Sequence, residues 1–294
     1  MNFLSSLMVT IFAISLTYVL LIDDDFDPNL VKGKKVLITG ASQNIGKELA
    51  LQFSAMGAQV YITARRQDKL QEVAEECEKL SGYTVGYYCA DMEEYLDHNV
   101  NLIENAVKTM GSIDYVVINH VLGNTNPGMW NGSAYDFEYL RRSLKINYLS
   151  YVHLSTHASK YLTESRGHLV IISSLAGHTP TIHHAAYGAT KAALNSFYDS
   201  LRLEMKVQGV ENYSITNCVL GPINTHQNRW GQYQNKVKMS GMSMSDTVYQ
   251  VIKASALRKS HVFVPNWIWF PSGVKRALMS DFVDMIQLKI LYGL

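Results

Sequence analysis

The chain has 294 residues, a net charge of +1, 47% apolar and 17% charged side chains, which suits one large globular domain with a sizeable core. No basic block is present, so nucleic-acid binding has no electrostatic support. The three cysteines, Cys77, Cys89 and Cys218, form neither a disulfide framework nor a metal motif, and each reads as a small buried hydrophobe.

In chain order, Leu4 to Ile22 is a mostly apolar run without charged side chains, close to the ~20 residues of a membrane-spanning helix. A cleaved signal peptide fits less well, because no basic region precedes the run and no small-x-small cleavage site follows. Residues 1–22 are therefore expected to be an uncleaved signal anchor, and 23–31 an acidic linker that begins Asp23-Asp24-Asp25. The first basic side chain is Lys32, so the positive-inside rule leans toward a cytosolic main domain.

Lys35 to Thr39 reads as strand one, and a helix runs from about Ile45 to Met56. The turn between them is Gly40-Ala41-Ser42-Gln43-Asn44-Ile45-Gly46. A strand, a glycine-bearing turn and a helix N-terminus make a phosphate-binding site, where free N–H groups and the helix dipole meet an anion. Gly40, Gly46 and, next best, Asn44 suit a turn that demands positive φ. Gln59 to Ala64 is strand two and ends in Arg65-Arg66. An acidic residue there would bind the 2′-hydroxyl of NAD; two arginines instead suit the 2′-phosphate of NADP. A helix follows from Asp68 to Leu80, then strand three from Val85 to Ala90, with Asp91-Met92 at its end. Glu93 to Met110 is mainly helical, and Asp114 to Asn119 is strand four. Such alternation predicts an α/β fold: one doubly wound, Rossmann-type parallel sheet of about seven strands.

A polar loop spans Asn124 to Ser133, and one long helix is expected from Tyr135 to Leu162, with Asn147 inside it as a mild defect or a solvent-facing residue. Strand five is the apolar run Leu169 to Ile172, closed by Ser173-Ser174. The next helix opens near Ala185 and carries Tyr187 and Lys191 one turn apart, on one face. Ser174 faces the same crevice from the carboxyl end of its strand. These three side chains suit proton and hydride transfer to a carbonyl. A nearby ammonium, with a cationic nicotinamide, favours tyrosinate, Tyr187 exchanges the proton, and Ser174 holds the reacting oxygen. Strand six is Ser214 to Leu220, broken by Gly221-Pro222. Ile223 to Met244 has weak periodicity and reads as a substrate lid. A helix from Asp246 to Leu257 and a seventh strand from His261 to Pro265 follow. The tail, 266–294, bears Trp267, Trp269 and Phe270 and reads as a dimer element, a membrane contact or an ordinary packed helix. His178, His183 and His184 lack the further ligands a metal site needs, and are expected to rim the substrate mouth.

Thr39-Gly-Ala-Ser-Gln-Asn-Ile-Gly46, Asn119-His120-Val121, Asn147, Ser174, Tyr187 and Lys191 together resemble the short-chain dehydrogenase/reductase family over 32–265. Within it the chain is similar to the membrane-anchored 11β-hydroxysteroid dehydrogenase branch, through DDDFDPNLVKGKKVLITGAS, INYLSYVHL and SSLAG. The resemblance implies an NADP(H)-linked enzyme acting on a hydroxysteroid or other lipophilic alcohol or ketone. Retinoids and xenobiotic ketones are alternative substrates, and a family member that only binds is the alternative to an enzyme. It implies that Asn147 holds a water relaying protons from Lys191, and that Lys191 binds the nicotinamide ribose. Asp91 and Met92 would contact adenine, and Asn119, His120 and Val121 would line the adenosine and nicotinamide ribose. Gly221, Pro222, Ile223 and Thr225 would cover the nicotinamide carboxamide, and Leu175 and Ala176 would join Ser174 and Tyr187 against substrate. Three departures are visible. Asn44 stands where the family has glycine, Gln43 where the branch has lysine, with Arg66 as its replacement, and Pro222 where the branch has leucine. The resemblance also implies the endoplasmic-reticulum membrane, a luminal catalytic domain and a homodimer. A lumen is compatible with the sequons Asn131-Gly132-Ser133 and Asn212-Tyr213-Ser214.

Overall fold

The computed structural model describes residues 25–123, 129–210, 212–224 and 241–268. The expected anchor, the lid segment 225–240 and the tail beyond 268 lie outside the described residues. Among the described residues, no helix is long and apolar enough to cross a membrane.

Seven parallel strands form the central sheet: β1 (Lys35–Thr39), β2 (Gln59–Ala64), β3 (Gly86–Cys89), β4 (Tyr115–Ile118), β5 (His168–Ser174), β6 (Ser214–Leu220) and β9 (His261–Val264). Their order is β3-β2-β1-β4-β5-β6-β9. Short strands β7 (Ile223–Asn224) and β8 (Met242–Ser243) pair separately, in parallel, at the two ends of the lid segment. The helices are α1 (Asn44–Ala55), α2 (Gln67–Ser81), α3 (Tyr95–Met110), α4 (Ala134–Leu144), α5 (Ser150–Ser165), α6 (Ala185–Val207) and α7 (Met244–Ala256). This is the doubly wound parallel architecture that the alternation of strands and helices predicts.

Val36, Leu37 and Ile38 are all fully buried, which requires cover on both sheet faces. Side chains alternate across a strand, so successive residues enter different layers. Val36 and Ile38 pack with Leu49 and Phe53 of α1, Leu70 of α2 and Val251 of α7. Leu37 packs on the other side with Leu102 of α3, Leu154 of α5 and Leu194 of α6.

Two sequence expectations change. The helix from Tyr135 to Leu162 begins one residue earlier, at Ala134, capped by Ser133, and is interrupted by a π-helical segment, Lys145–Leu149. Asn147 sits in that segment and is fully buried, so it is no incidental helix defect. Cys77 and Cys218 are buried as expected, but Cys89 is exposed at the end of the edge strand β3, where its thiol donates to Arg65 O at 3.1 Å.

His168 opens β5 with no exposure. Arg258 donates to Ser214 Oγ, and Thr216 Oγ1 donates to Lys259 O. Ser214 is thereby left to donate to His168 Nδ1, and Thr216 to accept from Nε2, both at 2.7 Å. The ring is therefore a neutral imidazole carrying its proton on Nε2. Burial pulls the pKa of His168 down to about 3, and burial does the same to His120. The unfolded chain takes up these protons near pH 6.5 while the folded chain does not, so stability is lost as pH falls below that value. We predict a loss of about 2 kcal/mol per histidine between pH 6.5 and 5, from roughly 1.4 kcal/mol per pH unit. Urea unfolding at stepped pH measures it, and His168→Gln should make the slope shallower by one histidine's share. An unchanged slope would show that the imidazole does not carry the effect.

Candidate active site

Every loop leaving the carboxyl end of a parallel strand opens on one edge of the sheet. The order reverses between β1 and β4, and that reversal opens a crevice bounded by the turn after β1 and the segment after β4. Gly40 to Gly46, Arg65-Arg66, Asp91-Met92, Asn119 to Val121, Ser174 to Ala176 and Gly221 to Ile223 all follow strand ends on this edge. Thr225 lies outside the described residues.

The turn after β1 is held by close approach. Gly40 takes φ +67° and Asn44 φ +48°, so the turn uses the left-handed region where expected. Gly46 differs from expectation: its φ is ordinary, and it is glycine because a Cβ would lie 2.2 Å from Gly40 O and 2.7 Å from Asn119 Nδ2. Arg66 Nη2 donates to Gln43 Oε1 at 2.7 Å and to Ser42 Oγ at 3.3 Å, which brings the end of β2 onto the turn. Arg65 approaches Asp91 at 3.7 Å. Ile45 is half-buried against the core on one face of the sheet, and Met92 is buried in the core on the other.

Asn119 donates through Nδ2 to Thr39 O at 3.1 Å, and its backbone N–H donates to Thr39 Oγ1 at 2.9 Å. The His120 side chain turns inward. Its Nδ1 meets Thr39 Oγ1 at 2.9 Å and its Nε2 meets Ser150 Oγ at 2.6 Å. Both ring nitrogens are engaged by the scaffold, so the imidazole is not a lining group as the resemblance implied. Val121, 47% exposed, does face outward.

Asn147 accepts from Leu122 N–H at 2.7 Å and donates to Leu122 O at 3.1 Å. Its amide thus clamps the chain after β4 to the π segment. Ser150 N–H reaches back to Lys145 O, the i→i+5 bond that marks the extra residue in the turn.

Ser174 ends β5, and its hydroxyl accepts from Ala176 N–H at 3.2 Å. Tyr187 and Lys191 project from α6, one turn apart. Lys191 is 2% exposed, its Nζ donates to Ile172 O at 2.8 Å, and burial lowers its pKa to about 7. Burial also raises the Tyr187 phenol above its ordinary value, while a hydrogen bond with Ser174 pulls the other way. The sequence expectation for Tyr187 combined the lysine with a cationic nicotinamide; among the groups of the chain itself, burial is the larger influence. Lys191 Nζ lies 5.9 Å from the centre of the phenol ring.

The three histidines line a cavity of about 500 Å³ between the β5–α6 loop and the start of α4, together with Trp130, Tyr139 and Thr181. It adjoins the catalytic face through Ala176 and Gly188, but Ser174 and Tyr187 do not line it. Among the described residues, no group of three or more His, Cys, Asp or Glu is placed to hold a metal. Thr39, Ser150 and Tyr151 organise the site; they fall within the motifs quoted above, but sequence assigned them no role. The available signal was that Tyr151 lies one helical turn beyond Asn147.

A parallel sheet with this winding order, a glycine turn after its first strand and a Ser-Tyr-Lys set at its fifth defines a nucleotide-dependent oxidoreductase fold. The chain belongs to the short chain dehydrogenase family, whose model matches residues 34–233. Among its relatives, the hydroxysteroid 11-beta-dehydrogenase 1-like protein A of Xenopus laevis is 38% identical over 269 residues, 88% of this chain and 90% of the relative. The hydroxysteroid 11-beta-dehydrogenase 1-like protein of Gallus gallus is 37% identical and covers 83% of each chain. The fold is similar to that of a short chain dehydrogenase from Burkholderia cenocepacia solved in complex with NADP, with a TM-score of 0.67 and 22% identity over 79% of this chain and 96% of that one. An alcohol dehydrogenase from the archaeon Thermococcus sibiricus, complexed with 5-hydroxy-NADP, gives 0.67 at 19% identity over 78% and 95%.

Proposed function

We propose that this oxidoreductase interconverts a hydroxyl and a ketone on a lipophilic substrate, a hydroxysteroid by the likeness to its relatives, with NADP(H) as cofactor. The observation that carries the reading is the convergence of Ser174, Tyr187 and Lys191 where β5 meets the crevice. The residues present fit the cofactor. The turn after β1 offers a helix N-terminus to a pyrophosphate, and Arg65 and Arg66 stand exposed at the end of β2, where a 2′-phosphate would meet two cations. Bound, the cofactor supplies or accepts the hydride at the carbonyl carbon.

The side chains handle the proton. Ser174 Oγ holds the substrate oxygen, and Tyr187 donates its phenolic proton to that oxygen during reduction or removes it during oxidation. Burial keeps the phenol protonated at neutral pH, the form required for reduction. Lys191, near pKa 7, is poised to lose and regain a proton beside it. Tyr187→Phe should lower kcat by about 10²–10⁴-fold while leaving folding and NADPH binding intact, because only the proton donor is lost. Single-turnover kinetics on a panel of steroids, retinoids and xenobiotic ketones checks this. Retained turnover would refute the assignment.

Arg66→Ala should weaken NADPH binding about tenfold and leave NADH nearly unaffected. A charge-assisted contact is worth ~1.5–3 kcal/mol, and exposure puts this one at the low end. Fluorescence titration with both cofactors decides it; equal losses for the two would remove the 2′-phosphate from the account.

The apolar run Leu4 to Ile22 and the likeness to an anchored branch support a single-pass endoplasmic-reticulum protein with a luminal domain. Asn131 and Asn212 are both exposed, as acceptor sites require. Expression with microsomes should give an endoglycosidase H-sensitive band and a protease-protected domain. An unshifted band with a domain digested from outside intact vesicles would place it in the cytosol. Light scattering of the detergent-extracted chain should give twice the monomer mass if it is the homodimer we infer from the family likeness; a monomer mass would reject that.

A further inference from the structure

Lys191 is a buried ammonium without an ion-pair partner among the described residues. Its Nζ donates to one carbonyl, Ile172 O. The Tyr151 ring lies beside it, with the centroid 5.1 Å from Nζ, nearer than the Tyr187 ring at 5.9 Å. Both distances fall within the ~6 Å over which a ring face attracts a cation, and the attraction is strongest where water is excluded. Tyr151 is fully buried.

Its ring is also fixed in place. The Tyr151 hydroxyl donates to His120 O at 2.6 Å, and the His120 and Tyr151 ring centres lie 4.6 Å apart. His120 is itself pinned between Thr39 and Ser150. Tyr151 is the second residue of α5, which follows the π segment directly, and the added residue of that segment sets the rotational register in which α5 presents Tyr151 to α6. The titratable groups facing Lys191 are Tyr151 from α5, His120 from the segment after β4, and Tyr187 from its own helix. His120 stays neutral, since burial holds it at about 3, and both phenols are raised, so none of the three supplies a negative charge at neutral pH.

We propose that Tyr151 is a positioning residue whose aromatic face keeps the Lys191 ammonium charged and aimed at the site, in place of a carboxylate. A carboxylate would pair with the ammonium and draw it away from Tyr187. A ring face stabilises the charge without competing for its hydrogen bonds. The proposal deepens the reading of Tyr187 and Lys191 as the proton-transfer pair, and its turnover arm rests on that reading. Its titration arm does not.

The test compares Tyr151→Phe with Tyr151→pentafluorophenylalanine in the full chain. Both lack the hydroxyl bond to His120, and they differ in the charge on the ring face. Lys191 is followed by ¹³Cε NMR, with its resonance assigned by loss in Lys191→Met. Withdrawing charge from the ring should lower the Lys191 pKa by about one pH unit. A pH unit or more above the unshifted pKa, the charged fraction, and with it turnover, should fall about tenfold. Should the fully fluorinated chain fail to fold, Tyr151→4-fluorophenylalanine, with almost no added volume, should give a smaller shift of the same sign. An equal Lys191 pKa in the phenyl and fluorinated forms would overturn the proposal and assign Tyr151 to packing alone. A shifted pKa in a chain that turns over no alcohol or ketone would leave the proposal standing and sink the catalytic reading. Turnover that Tyr187→Phe abolishes, with an unmoved Lys191 pKa, would do the reverse.

Discussion

The Thr39 hydroxyl is the point on which the site depends. It stands at the end of β1, on one side of the reversal in strand order. It accepts the backbone N–H of Asn119 at 2.9 Å and of His120 at 3.2 Å from the other side. With both N–H groups and Ser150 disposed as they are, Thr39 donates to His120 Nδ1, and His120 donates through Nε2 to Ser150. One hydroxyl thereby joins the glycine turn, the segment after β4 and the helix that follows the π segment. The group is fully buried, where an unmade hydrogen bond costs about 1–3 kcal/mol, so the three elements are held in a single arrangement.

Around that junction, charged and titratable groups are brought into a dry interior. His120, Tyr151, Tyr187 and Lys191 are all shifted by burial, in the direction that favours the neutral form. Only Lys191 lands near neutrality. A lysine poised there can change charge in response to a small change in its surroundings, such as the arrival of a cationic ring, whereas the histidine cannot. The site is therefore tuned by desolvation first and by neighbouring charge second.

The π segment shows how a local irregularity serves this arrangement. An extra residue in a helical turn costs regular hydrogen bonding. Here it lets Asn147 close a two-way clamp on Leu122, one residue beyond the Asn119 to Val121 segment. Close packing enforces the same tightness at Gly46, where Gly40 O and Asn119 Nδ2 leave no room for a methyl group.

The sequence alone determined the strands, their parallel winding and the loop set that meets at one sheet edge. Apolar runs such as Val36 to Ile38 must be covered on both faces, and right-handed crossovers then leave little choice of topology. It also determined that Ser174, Tyr187 and Lys191 share a crevice, since a strand end and one helix face suffice to place them. Tertiary structure decided the rest. Whether His120 faces the crevice or the core, why Gly46 is glycine and what surrounds Lys191 all depend on contacts between residues far apart in the chain. The burial that raises the Tyr187 phenol was beyond the sequence for the same reason. A neighbouring lysine can be seen one turn away on a helix, but the burial that shifts both groups exists only in the folded chain.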